Sequence, residues 1–258
     1  MSIFLVEITN IIYGIMRKTM FVLCTIALLA AASCARKPAD GQTPGMWYGK
    51  DVAEVKKTFK VDGFEKIALA GSVDVKYVQG DTTSVIAKGT ADMVERLDIK
   101  SDGTTLRVKY KDNNGIHINI GSKSAVVYVT SPDIVEVAIT GSGDFRSKGH
   151  VDTDNMNIMV KGSGDVSFSD IICNSLEASV YGSGDVELKN VKAARTSFVV
   201  KGSGDISAKF DGCGTVESFI YGSGDISLKG KVRSERHVIK GSGDVHTGKL
   251  DRASENVR

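Results

Sequence analysis

The tetrapeptide Gly-Ser-Gly-Asp occurs six times, at residues 141–144, 162–165, 182–185, 202–205, 222–225 and 241–244. The copies follow one another at an almost constant interval, and a relaxed copy, Gly71-Ser72-Val73-Asp74, lies far upstream. A fixed period of about 20 residues marks a chain that stacks one small unit on the next.

Alignment on the first glycine turns the period into columns. Two positions before it stand Ile139, Val160, Val180, Val200, Ile220 and Ile239. Directly after the aspartate stand Phe145, Val166, Val186, Ile206, Ile226 and Val245. Two positions further come Ser147, Phe168, Leu188, Ala208, Leu228 and Thr247. The first two columns are wholly apolar, so both arms flanking each turn are expected to face one interior. This predicts an all-β solenoid with coils of about 20 residues, in which equivalent residues stack about 4.8 Å apart. Each buried Val or Ile then contributes about 1.5–3 kcal/mol, and the glycines supply the positive φ of a sharp corner.

Upstream, residues 55–61, 67–78, 85–88, 97–100, 106–110, 116–120 and 125–129 read as short strands separated by turn residues, with a single short helix at 91–96. No strand alternates with a full helix, which argues against a doubly wound parallel sheet. The domain is expected over 51–250, with irregular N-terminal coils over 51–130, regular coils over 131–250, and a polar tail at 251–258.

Three repeated features carry candidate chemistry. The first is the aspartate column, Asp144, Asp165, Asp185, Asp205, Asp225 and Asp244. Carboxylates stacked at that spacing repel by about 1 kcal/mol per neighbouring pair even in water. Each is expected to be offset by backbone N–H bonds within its own corner. A Ca²⁺ ladder is the competing reading, although known calcium repeats have a nine-residue period and are richer in acidic ligands. The second feature is the column before the first glycine, Thr140, Lys161, Tyr181, Lys201, Tyr221 and Lys240, in which lysine and tyrosine alternate. Alternation doubles the spacing between ammonium groups to about 9.6 Å and places a ring between them, within reach of cation–π contact. It reads either as a solvated outer ladder or as a glycan- or protein-binding stripe. Third, Cys173 and Cys213 each lie eleven positions after the first glycine of their own repeat, with Ala193 between them in the column. A separation of about 9.6 Å exceeds the roughly 7 Å that a disulfide spans, so two buried free thiols are expected.

Several functions are disfavoured. The net charge is +2, and removal of residues 1–33 leaves +1, too balanced for a nucleic-acid binder that also lacks basic runs. Some β-helices are pectin-cleaving lyases and hydrolases, whose sites need an irregular acid cluster in a cleft walled by long loops. Here the acids recur at equal spacing between short loops. His117, His150, His237 and His246 show no metal-ligand or triad spacing. No enzyme activity and no obligatory cofactor or metal is expected.

The N-terminus reads as a targeting segment. Met16-Arg17-Lys18-Thr19 is basic, residues 20–32 are apolar, and Ala31-Ala32-Ser33 precedes Cys34. This looks like a bacterial lipoprotein signal, with lipidation at Cys34, and it is too short to span a membrane. Met16 begins a complete signal by itself, so residues 1–15 are expected to lie upstream of the true start. Residues 34–50 read as a flexible tether, and Trp47-Tyr48 stand either free or as a lid on the first turn.

Phe64-Glu65-Lys66-Ile67, Gly71-Ser72-Val73-Asp74-Val75 and Val78-Gln79-Gly80-Asp81 resemble the start of a known bacterial family. Asp102-Gly103-Thr104-Thr105-Leu106-Arg107-Val108 and Tyr128-Val129-Thr130-Ser131-Pro132-Asp133, leading into Ile139-Thr140-Gly141-Ser142-Gly143-Asp144, resemble its middle. The family is the putative auto-transporter adhesin, head GIN domain, common in lipoproteins of Bacteroidetes. The resemblance spans about residues 51–250. It implies a single-stranded right-handed β-helix and offers no catalytic residues. The function expected is an envelope-anchored, non-catalytic binding or adhesion module, with a membrane reached through the lipid and a glycan or protein as ligand. A self-assembling structural element is the alternative, and a polysaccharide-active enzyme is a more distant one.

Overall fold

The computed structural model describes residues 54–111 and 125–252. Cys34, the signal and tether over residues 1–50, the strand expected at 116–120 and His117 lie outside the described residues, as does most of the polar tail.

The regular part is a β-solenoid of roughly 6 turns. Its strands are β8 (Glu136–Gly141), β9 (Phe145–Asp152), β10 (Asn155–Gly162), β11 (Val166–Gly182), β12 (Val186–Val200), β13 (Ile206–Ile220), β14 (Ile226–Ile239) and β15 (Val245–Arg252). From β11 to β14 a strand carries the arm after one Gly-Ser-Gly-Asp corner and continues into the arm before the next. All these neighbours pair in parallel, and the aligned columns become ladders. Val160 pairs with Val180, Val180 with Val200, Val200 with Ile220, and Ile220 with Ile239. On the other arm Phe145, Val166, Val186, Ile206, Ile226 and Val245 stack in turn. Between the arms lies one continuous core, whose largest fully buried side chains include Phe145, Phe168 and Phe198.

The apolar columns are buried everywhere except in the last coil. Ile239 is 44% exposed and Val245 only half-buried, because residues 234–239 are paired on the β13 side alone among the described residues.

The relaxed copy at residue 71 belongs to the stack. Strands β2 (Lys66–Gly71) and β3 (Asp74–Gln79) form a further coil, and Gly71 lies in register with Gly141 although a long excursion of the chain separates them. The apparent strand 67–78 is therefore two arms bent at Ser72-Val73. The intervening chain closes this end. Strands β1 (Glu54–Phe59), β4 (Ser84–Thr90) and β7 (Val126–Ser131) pair antiparallel in the order β1-β4-β7 and join β3 through β7. Strands β5 (Leu97–Ser101) and β6 (Thr105–Tyr110) pair antiparallel and join β2. Helix α1 (Ala91–Glu95) is capped by Thr90, whose hydroxyl accepts the Met93 N–H at 3.4 Å. Among the described residues, the chain before residue 131 thus contributes one coil with antiparallel strands joined to it, where irregular coils were expected. The Tyr77 hydroxyl ties the excursion down 3.0 Å from Ser131 Oγ, and burial pushes that phenol up to about 12.

The corner glycines serve mainly to clear space. The first glycines at 141, 162, 182 and 202 do have positive φ (130°, 134°, 156° and 157°), as expected, but no second glycine of a corner does. A Cβ on Gly164, Gly184 or Gly204 would instead stand 2.1–2.2 Å from the carbonyl oxygen of the equivalent glycine one coil before. Only hydrogen fits there, so adjacent coils can meet at hydrogen-bonding distance.

Candidate ligand-contact ladders

The aspartates are bonded between coils, not within their own corners. Oδ1 of Asp144 accepts the backbone N–H of Asp165 at 3.0 Å, and the pattern continues from Asp165 to Asp185, Asp185 to Asp205, Asp205 to Asp225 and Asp225 to Asp244 at 2.7–2.9 Å. Asp74 is the bottom rung and accepts from Asp144 N–H at 3.1 Å. The expectation of a self-contained corner is corrected by strand geometry: parallel stacking points each N–H along the solenoid axis, at the preceding carboxylate. Each carboxylate from Asp74 to Asp225 thus has a partial positive charge between itself and its neighbour, which offsets the like-charge repulsion. The Asp225 carboxyl is held below its ordinary value by the Asp244 N–H and, beyond that, by His246. Among the described residues no three His, Cys, Asp or Glu side chains are grouped to hold a metal ion.

The lysine–tyrosine column forms an outer ladder on the other arm. Lys161 Nζ lies 5.9 Å from the Tyr181 ring centre and Lys201 Nζ lies 5.4 Å from it. Lys201 and Lys240 stand 5.6 and 5.8 Å from the Tyr221 ring. Each ring is thus bracketed by ammonium groups, yet Tyr181 remains 38% and Tyr221 41% exposed. Exposed cation–π contacts of this kind are worth about 0.5–1 kcal/mol each and keep long side chains upright. The outcome is a straight row of alternating aromatic and cationic heads, available for stacking and hydrogen bonding with a ligand.

The thiols of Cys173 and Cys213 are buried and unpaired, with Ala193 in register between them. Burial, with smaller contributions from Cys213 and Asp152, pushes the Cys173 thiol up to about 11, so neither its reactivity nor its position suggests a nucleophile. The histidines within the described residues stay apart, each beside a different carboxylate: His150 with Asp170 at 2.7 Å, His237 with Glu235 at 3.3 Å and His246 with Asp225 at 3.5 Å.

Two features were not visible in the columns nearest the corner. Glu235 and His237 occupy the ladders of Val216 and Ser218, and so place polar groups over the end of the core. Arg252 Nε donates to Glu235 Oε1 at 2.8 Å, which ties β15 across that end. Lys189, Lys209, Lys229 and Lys249 also form a row, which appears only when the alignment is carried seven positions past the first glycine and allowed a slip of one in the last coil.

Among solved structures, an adhesin from Bacteroides fragilis described as putative matches with a TM-score of 0.60 and 20% identity, over 77% of this chain and 97% of its own. A protein from Parabacteroides distasonis described as a putative lipid binding protein matches at 0.54 and 22%, over 79% and 98%. A putative adhesin from Parabacteroides merdae matches at 0.50 and 17%, over 78% and 98%. At these identities the likeness shows the fold. A search of curated proteins found no match. The family model of the putative auto-transporter adhesin, head GIN domain, matches residues 63–249, and the chain belongs to that family.

Proposed function

We propose that the protein is an envelope-anchored lipoprotein, held through a lipid on Cys34, which acts as a non-catalytic binding or adhesion module. The ladder Lys161, Tyr181, Lys201, Tyr221 and Lys240 is its contact surface. The observation that carries this reading is the pair of Tyr181 and Tyr221 rings, each exposed by about two fifths although flanked by lysines on both sides. A rigid row of repeated weak contacts gains affinity by multivalency, since one engaged rung raises the effective concentration of the next. The family description and the adhesin and lipid-binding names of the structural relatives support a binding role and a place in the envelope. In the described residues no helix is long and apolar enough to cross a membrane.

The test is a glycan array and an intact-cell binding assay, each run with the wild-type protein and with Tyr181→Ala/Tyr221→Ala. Binding by the wild type that the double variant loses, with an unchanged melting temperature, is expected. Equal binding by both proteins overturns the assignment to this ladder.

Self-assembly through end coils is the second reading, supported by the exposed Ile239 on an arm paired on one side only among the described residues. Light scattering distinguishes it: a stable oligomer lost on Ile239→Lys favours assembly, and a monomer at every concentration excludes it.

A further inference from the structure

The row Lys189, Lys209, Lys229 and Lys249 lies on the arm that follows the aspartate corner, away from the lysine–tyrosine ladder. Lys209 pairs in register with Lys229, and Lys229 with Lys249. All four are exposed. Lys189 has an acidic neighbour, Glu187, at 3.4 Å, whereas Lys209, Lys229 and Lys249 have no ion-pair partner among the described residues. Here lysine follows lysine at the single-coil spacing of about 4.8 Å, with no ring between. The chain relieves the same repulsion in its two other ladders, by tyrosine in one and by inter-coil hydrogen bonds in the other. In this row it is left standing.

Beside the lysines, two positions nearer the corner, Ser207 and Ser227 stack in register. Between the two rows runs a shallow groove of about 230 Å³, with Lys189, Lys209 and Lys229 on one side, Glu187, Ser207 and Ser227 on the other, and Leu188 and Ala208 in its floor; Glu187 is paired with Lys189, which leaves Lys209 and Lys229 as the open ammonium groups. We infer that this groove binds a linear acidic polysaccharide, with carboxylate or sulfate groups on successive ammonium groups and sugar hydroxyls on the serines. An anion set between neighbouring lysines converts their repulsion into attraction, and a straight row with a constant step suits an extended polymer. The aspartate row lies about 13 Å from the lysines along the same strands but only about 7 Å from the serines, so it repels an anionic chain on the serine side and confines its acid groups to the lysine side. An anionic membrane is disfavoured on two grounds. The same aspartates would face its headgroups, and the large exposed apolar side chains, Val78, Tyr181, Tyr221 and Ile239, all lie elsewhere. This inference rests on the binding-module reading and names a ligand class for a different face.

The experiment measures binding of the purified full chain to alginate, a linear polyuronate, by calorimetry at low ionic strength. A neutral linear mannan and phosphatidylglycerol vesicles are run in parallel. Alginate binding that weakens steeply with added salt is expected, with no mannan binding and weaker vesicle binding. Lys209→Gln/Lys229→Gln should weaken it about tenfold or more, through loss of two exposed ion pairs. Lys209→Arg/Lys229→Arg should retain it, and Tyr181→Ala/Tyr221→Ala should leave it unchanged. The inference is overturned if the wild type does not bind alginate, if the glutamine variant binds as tightly as the wild type, or if vesicles bind equally well. Failure here, together with tyrosine-dependent binding on the glycan array, would remove this groove and leave the ladder reading intact.

Discussion

Gly204→Ala is the sharpest probe of how the coils are held together. Gly204 does not have a positive φ, so alanine is conformationally permitted, and the cost comes from the contact alone. Its Cβ would stand 2.1 Å from the Gly184 carbonyl oxygen and 3.0 Å from the Gly184 carbonyl carbon. Relief requires the corner to lift from the preceding coil, and that strains three bonds. These are Ser203 N–H to Gly182 O at 2.8 Å, Gly204 N–H to Gly182 O at 3.1 Å, and Asp205 N–H to Asp185 Oδ1 at 2.8 Å. Overpacking costs about 1–3 kcal/mol, and each hydrogen bond lost adds about 1 kcal/mol. With all three lost, the expected destabilisation is therefore about 4–6 kcal/mol, a large part of the roughly 5–15 kcal/mol typical of a domain. Urea unfolding followed by circular dichroism measures it, with Ser203→Ala, at an exposed position of the same corner, as a control expected within about 0.5 kcal/mol of wild type. A Gly204→Ala protein within about 1 kcal/mol of wild type would refute the close-approach argument.

Three further outcomes are expected. Peptide mapping of the oxidised protein should find Cys173 and Cys213 as separate free thiols, and native protein at pH 8 should react slowly with a thiol reagent because burial raises both thiols; a Cys173–Cys213 cross-linked peptide would break the assigned register. The carboxyls of Asp225 and Asp102 are held below the ordinary 3.8, the first chiefly by the Asp244 N–H and the second by the Thr105 and Thr104 N–H groups. Depressed values contribute stability that is fully present above the unfolded value and lost as pH falls through the folded one, so the melting temperature should be flat above about pH 5 and fall below about pH 4, less steeply in Asp225→Asn; a melting temperature that holds or rises on acidification contradicts this. Phe198 is fully buried and stacks 6.3 Å from Phe210, so Phe198→Ala should cost about 3–5 kcal/mol in the same urea assay, and a loss below about 1 kcal/mol would mean that this part of the core can collapse.

The fold was legible where the period is constant. Residues 139–239 repeat so regularly that placing one valine places its neighbours, and the Cys173–Ala193–Cys213 spacing followed from counting alone. Legibility failed where the chain leaves the period. Gly71 stacks on Gly141 across the whole excursion between them, and sequence shows neither how far that excursion runs nor that β1, β4 and β7 pair antiparallel. The aspartate column was visible, but its partner was not, because the direction of a backbone N–H depends on parallel stacking. The roles of the second glycines were hidden for the same reason: space between coils is a property of two turns at once. Among the surface ladders, the lysine–tyrosine row stood beside the corner and was found. The Lys189 row, beyond the aligned window and slipped by one position at Lys249, was missed, as were Glu235 and His237 over the core end.

The central claim is that Tyr181 and Tyr221 act together as rungs of one contact surface. Binding isotherms to intact cells for Tyr181→Ala, Tyr221→Ala and the double variant test it directly. Multivalent contact predicts a weakened single variant in each case and a double variant that loses more than the two single losses combined. A double variant that remains folded and binds as tightly as the wild type would contradict it.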